Sequence, residues 1–358
     1  MKSKMQQTSE LGSDWWNDSN DHEELQHAVN EGAVGATSNP VITCAAVKNH
    51  PDIWLPVIDK MIESNSTGSE DDILWNLIDE VGKKAANILQ PVYEKTHGQK
   101  GKLSLQVNPK FYRNSDLMFK QGKYLASLAP NIAVKCPALP AGIVALEKLT
   151  ANGICINATV SFTVPQAVQV AEAIERGLDQ AEQDGKNIEK LTPYVTIMVG
   201  RIDDHLKRIK QSKNIDVDPE IIDWASIAVF KNAYKIFQKR GYRSKLLAAA
   251  FRNQMHWSEL VGGDIVISMP YDWWNKFNAL DIEVKNRINN PVDSSIIDKL
   301  SNNFNDFNRA FDSDGMSVEE FEYYGASKHT MDTFLSGYDE FIQIIRSRMI
   351  NRYDRLSV

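Results

Sequence analysis

The stretch Asn131-Ile132-Ala133-Val134-Lys135-Cys136-Pro137 decides the fold. It is too short for a buried helix, and both of its alternating faces are apolar apart from one lysine. That pattern reads as a strand, Ile132–Cys136, covered on both sides, as in a parallel sheet flanked by helices. Working outward, similar short runs occur at Trp15–Asn17, Ala33–Thr37, Leu103–Val107, Gly153–Thr159, Tyr194–Val199, Leu246–Ala250 and Asp264–Ser268, which makes eight in all.

The intervening segments carry helical signals. Ser69 precedes Glu70, Asp71 and Asp72, and Leu74, Leu77, Ile78, Val81, Ala85 and Ile88 then follow at helical spacing. Pro165 suits the first turn of a helix over 163–183. Ser317 and Glu320 form a capping box ahead of a stripe from Met331 to Ile345. Eight strands alternating with helices predict an α/β fold, a (β/α)8 barrel with additional N-terminal and C-terminal helices. Length alone, 358 residues, suggests about two domains at roughly 150 residues each. A barrel takes roughly 250 residues. The expectation is therefore a single barrel domain over 1–358, with inserted helices near 50–98 and a C-terminal helical extension near 295–350. An open doubly wound sheet would carry a glycine-rich loop after its first strand. Here that place holds Asp18-Ser19-Asn20-Asp21.

Composition narrows the function class. Forty Lys and Arg against 47 Asp and Glu give a net charge of −7, which argues against nucleic acid and against an anionic membrane as partner. Three cysteines, Cys44, Cys136 and Cys155, without CxxC spacing argue against a disulfide framework or a zinc cluster and favour a reducing compartment. The first residues lack the apolar core of a signal peptide, and no run of 18 apolar residues occurs. The expectation is a cytoplasmic protein. No HExxH, GxSxG, Walker or dinucleotide fingerprint is present, so neither metal nor cofactor is expected.

In barrel enzymes the chemistry sits at the C-terminal ends of the strands. Those ends here carry Asp18, then Thr37-Ser38-Asn39-Pro40, Gln106 with Asn108, Lys135, Asn157 with Thr159, Thr196 with Arg201, and Arg252. Lys135 has apolar neighbours. Burial there would lower its pKa and free an amine able to attack a ketone and form a Schiff base. A strand-end lysine can also snorkel to water. Asp18 would serve as proton shuttle, or equally as a helix cap beside Asn20 and Asp21. Asn39 before Pro40 also suits a simple turn. Arg201 and Arg252 would make an anion clamp, although Asp203 and Asp204 are close enough in sequence to occupy Arg201 in an ordinary ion pair.

Six stretches together resemble the transaldolase family: Gly35-Ala36-Thr37-Ser38-Asn39-Pro40; Leu103-Ser104-Leu105-Gln106-Val107; Val134-Lys135-Cys136-Pro137 with Ala141-Gly142-Ile143; Gly153 to Thr159; Val199-Gly200-Arg201-Ile202-Asp203; and Ala249-Ala250-Phe251-Arg252-Asn253. They fall in order over roughly residues 14 to 275, about three quarters of the chain. Phe311 to Tyr338 looks like the longer bacterial members. The resemblance implies transfer of a dihydroxyacetone unit from a ketose phosphate to an aldose, without a cofactor, in a homodimer. On it, Lys135 matches the Schiff-base lysine and Asp18 the acid/base aspartate. Asn39 and Asn157 match groups that hold the dihydroxyacetone hydroxyls. Thr159 matches a threonine that helps hold a catalytic water, and Arg201 and Arg252 match the phosphate-binding arginines.

The departures lie toward the acceptor end. Gln106 stands where the family usually has glutamate and could orient a water but not take its proton. Ala250 replaces a serine, Met198 an aromatic and Thr196 a serine. They keep three alternatives open: a fructose 6-phosphate aldolase-like enzyme that releases free dihydroxyacetone, a variant for a sulfonated or otherwise modified sugar, and a sugar-phosphate binding protein without activity.

Overall fold

The computed structural model describes residues 2–356, with side chains placed through Asn351. Eight parallel strands close into a barrel in sequence order: β1 Asp14–Asn17, β2 Gly35–Thr37, β3 Lys102–Gln106, β4 Ile132–Pro137, β5 Ile156–Thr159, β6 Tyr194–Met198, β7 Lys245–Ala249 and β8 Val266–Met269. β1 completes the ring by pairing with β8, Asp14 opposite Val266 and Asn17 opposite Met269. Every strand expected from the sequence is present, with ends displaced by at most three residues. The largest displacement is at β5. Gly153 turns the chain at φ +74°, so the strand begins only at Ile156.

Strand residues alternate between two cores. Trp15, Leu105, Val134, Cys136, Ala158 and Ile197 face outward into the layer between sheet and helices. Trp16, Ala133, Cys155, Tyr194, Leu247 and Val266 face inward and fill the lower barrel. Gly35 makes room for this packing, since a Cβ there would lie 2.4 Å from the Trp16 ring. Trp16 in turn meets Tyr194 edge-on at 4.6 Å between ring centroids. The barrel therefore has a packed floor, and its polar groups are confined to the upper layers.

The helical expectations hold with one refinement. Ser69 caps Glu70–Lys95 in a capping box with Asp72, and Thr163 caps Val164–Gln183. The Ser317–Glu320 box exists, but it starts a short 3-10 turn, Val318–Tyr323. The stripe that includes Met331, Phe334, Tyr338, Phe341 and Ile345 lies on the following helix, Gly325–Leu356. Lys4–Glu10 precedes β1; Pro40–Asn49 and Pro51–Ser64 lie between β2 and the helix Glu70–Lys95, which packs on β3; and Ser294–Asn303, Asn305–Phe311 and the long C-terminal helix follow β8. The C-terminal helix is bolted to Pro51–Ser64 and Glu70–Lys95. Arg346 makes a two-pronged contact with Glu70 at 2.6 and 2.5 Å, Arg348 pairs with Asp59, and Trp75 Nε1 donates to Tyr338 Oη at 3.1 Å. Among the described residues no helix is long and apolar enough to cross a membrane. All three cysteines are buried and unpaired.

Candidate active site

The upper inward positions of the strands are polar. In register, Gln106 lies opposite Lys135, and Lys135 opposite Asn157. Lys135 is only 6% exposed, so it does not snorkel to water. Its Nζ donates to the Ser38 carbonyl at 3.2 Å. Burial lowers its pKa to about 8, although the Asp18 carboxylate opposes the shift.

Asp18 does not cap the helix that follows β1, His22–Asn30. That work falls to Asp21, whose Oδ1 accepts from the amides of Glu23 and Glu24 at 3.0 and 3.2 Å. Asp18 instead accepts a hydrogen bond from Thr37 Oγ1. Burial raises its pKa, against the lowering effects of Lys135 and Thr37. Both groups are thus drawn toward their neutral forms, while each holds part of the other's charge.

On the opposite arc, Thr196 Oγ1 donates to Asn157 Oδ1 at 2.8 Å, and Asn157 Nδ2 donates to Ser104 Oγ at 3.0 Å. Thr159 Oγ1 points to the Met198 sulfur at 3.8 Å. The buried Gln106 Oε1 has no hydrogen-bond partner among the described residues, which leaves an acceptor directed into the site. Asn39 sits at the rim and caps Pro40–Asn49 through Oδ1, 3.0 Å from the Ile42 amide. Its amide nitrogen makes no bond to that cap and can serve a ligand. Asn108 is likewise occupied as a cap, at 3.0 Å from the Lys110 amide.

The two arginines come from different elements. Arg201 is in the first turn of helix Val199–Lys213, not at a strand end, and no side chain caps that helix. Arg252 follows β7 in a loop that begins with Ala250 at φ +63°. The aspartates beside Arg201 serve other partners. Asp204 holds Arg252 at 3.0 Å, and Asp203 is buried against His256 at 2.7 Å. Arg201 Nε is buried without a hydrogen-bond partner among the described residues. Burial and the neighbouring Arg252 charge lower its pKa. Two adjacent guanidiniums are an arrangement that can hold an anion.

Sequence reasoning placed Thr37 and Ser38 at a strand end without giving them a role, and it missed Ser104, His256 and His329. Ser104 could have been found, because it lies two residues before Gln106 on the same face of β3. Ser38 acts only through its main-chain carbonyl, which carries no signal in residue type. His329, on the C-terminal helix, lies in the field of Arg208 and Arg201, which together with desolvation lower its pKa. The fold also joins two histidines that are distant in sequence, His22 and His50, with ring centroids 4.4 Å apart. Together with Asp21 they place three ligand-type atoms within 4.8 Å. Capping and the 2.9 Å Asp21–His50 contact account for the two carboxylate oxygens of that trio.

Compared with known families, the chain matches the one described as Transaldolase/Fructose-6-phosphate aldolase over residues 15–321. The chain belongs to this family. Its relatives within the transaldolase family include Transaldolase 1 of Streptomyces avermitilis, 27% identical over 221 residues, which is 61% of this chain and 58% of the relative. A Transaldolase of Saccharopolyspora erythraea is 29% identical over 222 residues, 60% of this chain and 58% of the relative. A Transaldolase of Thermobifida fusca is 29% identical over 217 residues, 57% and 56%. The chain thus spans somewhat over half the length of these relatives.

Proposed function

We propose that this transaldolase-family protein transfers a dihydroxyacetone unit from a ketose phosphate to an aldose. The observation that carries the reading is Lys135, a buried amine with a pKa near 8, placed beside the Asp18 carboxylate at the upper end of a closed barrel. At neutral pH an appreciable fraction of such an amine is unprotonated and nucleophilic.

Lys135 Nζ adds to the C2 carbonyl, and loss of water gives an iminium. Asp18 takes the proton from the C4 hydroxyl. The C3–C4 bond breaks, its electron pair moves into the iminium as an enamine, and an aldehyde leaves. The enamine carbon then attacks the aldehyde carbon of the acceptor, and Asp18 returns its proton to the new alkoxide. Hydrolysis of the second iminium frees Lys135. Asn157, oriented by Thr196 and Ser104, and the amide nitrogen of Asn39 hold the dihydroxyacetone hydroxyls. Thr159 and the acceptor oxygen of Gln106 orient the water of the hydration steps. Arg201 and Arg252 hold the phosphate at the far end. The chemistry uses no cofactor and no metal.

Incubation with fructose 6-phosphate, borohydride reduction and intact-mass analysis tests this. The expected result is a covalent three-carbon adduct that Lys135→Ala abolishes. No adduct, or one that persists in Lys135→Ala, rejects it.

Gln106 supports a second reading, an aldolase that releases free dihydroxyacetone. An amide cannot take a proton as a carboxylate does, so the partition between acceptor and water can differ from that of a glutamate enzyme. Assays with and without an acceptor aldehyde separate the two readings, and strict dependence on the acceptor rejects the second.

A further inference from the structure

The mechanism above leaves one buried cluster unused. Asp203 and His256 are both sealed from solvent, with 0% side-chain exposure each. Asp203 stands two residues after Arg201 on helix Val199–Lys213, and His256 stands four residues after Arg252. His256 Nε2 lies 2.7 Å from Asp203 Oδ2. Its other nitrogen, Nδ1, accepts the Arg252 main-chain N–H at 3.0 Å. That second bond assigns the ring proton to Nε2, so the imidazole donates to the carboxylate. Ser226 closes the cluster: its amide donates to Asp203 Oδ1 at 3.1 Å and its hydroxyl to Oδ2 at 3.2 Å.

The imidazole thus joins the helix of one arginine to the backbone of the other. A second tie runs beside it. The Gly200 amide donates to the Ala250 carbonyl at 3.1 Å, and a Cβ at 200 would come within 2.1 Å of that oxygen. A third is the contact of Asp204 with the Arg252 guanidinium at 3.0 Å. Burial of polar and charged groups gives little net stability compared with apolar packing of the same volume. What it can give is a fixed register, here between the helix that carries Arg201 and the loop that carries Arg252.

We propose that His256, oriented by Asp203 and Ser226, is a positioning residue that sets the spacing of Arg201 and Arg252 for a phosphate or similar tetrahedral anion. The inference rests on the reading of those arginines as the anion clamp. His256 touches no substrate. It fixes the Arg252 backbone, so its loss weakens anion binding and leaves the Lys135 chemistry intact.

The test compares wild type, His256→Phe, His256→Asn and Arg252→Ala, each checked for native circular dichroism. The readouts are calorimetric binding of inorganic phosphate and steady-state kinetics with phosphorylated and unphosphorylated ketoses. Expected for His256→Phe is at least a tenfold weaker phosphate Kd and a matching rise in KM for the phosphorylated ketose, with kcat and the unphosphorylated reaction within threefold of wild type. His256→Asn is expected to stay within threefold of wild type throughout, because its Oδ1 can replace Nδ1 as acceptor for the Arg252 amide. Equal losses with both ketoses, or phosphate binding unchanged in His256→Phe, overturn the proposal. If His256→Phe does not fold, Ser226→Ala replaces it. The expected loss is then two- to fivefold in phosphate affinity alone, and no loss overturns the proposal. Arg252→Ala separates the two levels: if it leaves phosphate binding unchanged, the clamp itself is misassigned and this inference falls with it.

Discussion

The Lys135 ammonium donates to the main-chain carbonyl of Ser38, 3.2 Å away across the barrel. That single bond fixes the amine toward β2, one residue beyond Thr37, which binds Asp18. The carbonyl dipole and the Asp18 carboxylate both favour the charged form, but desolvation outweighs them.

The first prediction concerns pH. Adduct formation needs the neutral amine, so its rate should rise with pH and level off above about 8. Asp18 raises the lysine pKa, and so Asp18→Asn should move this limb to lower pH while slowing carbon–carbon cleavage by roughly 10²–10⁴-fold. Borohydride trapping rates from pH 6 to 10 check both, and a flat profile would count against the assignment.

A stability prediction follows from the same shift. Below about pH 8 the folded protein carries a buried ammonium at a cost, and the unfolded chain keeps its proton until about pH 10.5. Between these values the unfolded state binds more protons, so stability should rise with pH through this window. Lys135→Met should remove that rise and increase Tm at pH 7 by a few degrees, on the order of what 1–2 kcal/mol gives in a protein of this size. Thermal melts of both proteins across pH 7–10 supply the comparison.

Arg201 and Arg252 should differ when replaced. Arg201→Met is expected to raise KM for a phosphorylated ketose by roughly 10–100-fold, the scale of a charge-assisted hydrogen bond. Its Tm should stay level or rise, because a buried unpartnered Nε–H is removed. Arg252→Met should lose similar affinity and also a small amount of stability, well under about 1 kcal/mol, because its pair with Asp204 is solvent-exposed. Steady-state kinetics beside differential scanning calorimetry resolve the two.

Gln106→Glu would place a carboxylate opposite Lys135 in the β3–β4 register. An opposite charge favours the ammonium, so the pH limb should move upward. Release of free dihydroxyacetone relative to transfer should change in the same variant. A coupled assay for dihydroxyacetone, run with and without acceptor, measures the ratio.

Gly35→Ala should be strongly destabilising, by roughly 1–3 kcal/mol or more, because the new methyl meets the Trp16 ring in a closely packed floor. A urea titration reads the loss directly.

How far the sequence disclosed this architecture depends on the range of the interactions. The eight strands were legible because burial on both faces leaves a local apolar run, as in β4. Lys135 and Asp18 were legible as polar groups that interrupt such runs. The pairing of Arg252 with Asp204, 48 residues apart, was not legible, and sequence proximity assigned the aspartates to Arg201 instead. The Asp203–His256 contact spans 53 residues and was invisible for the same reason. Asn39 shows the opposite case. Its family match pointed to substrate, and its local Asn-Pro context pointed to a turn. In the fold its oxygen serves the cap, and its nitrogen is turned to neither role by that bond.

Trp16, seated over Gly35 and against Tyr194, has a consequence for selectivity. That floor closes the barrel interior from below, so under the proposed function a ketose enters from the rim at the strand ends. The depth from that floor to Lys135 sets how much of the sugar can lie below the reacting carbon, whatever the acceptor. Under the same reading, variation among acceptors is a matter of reach upward, toward a rim that carries the long side chains of two arginines.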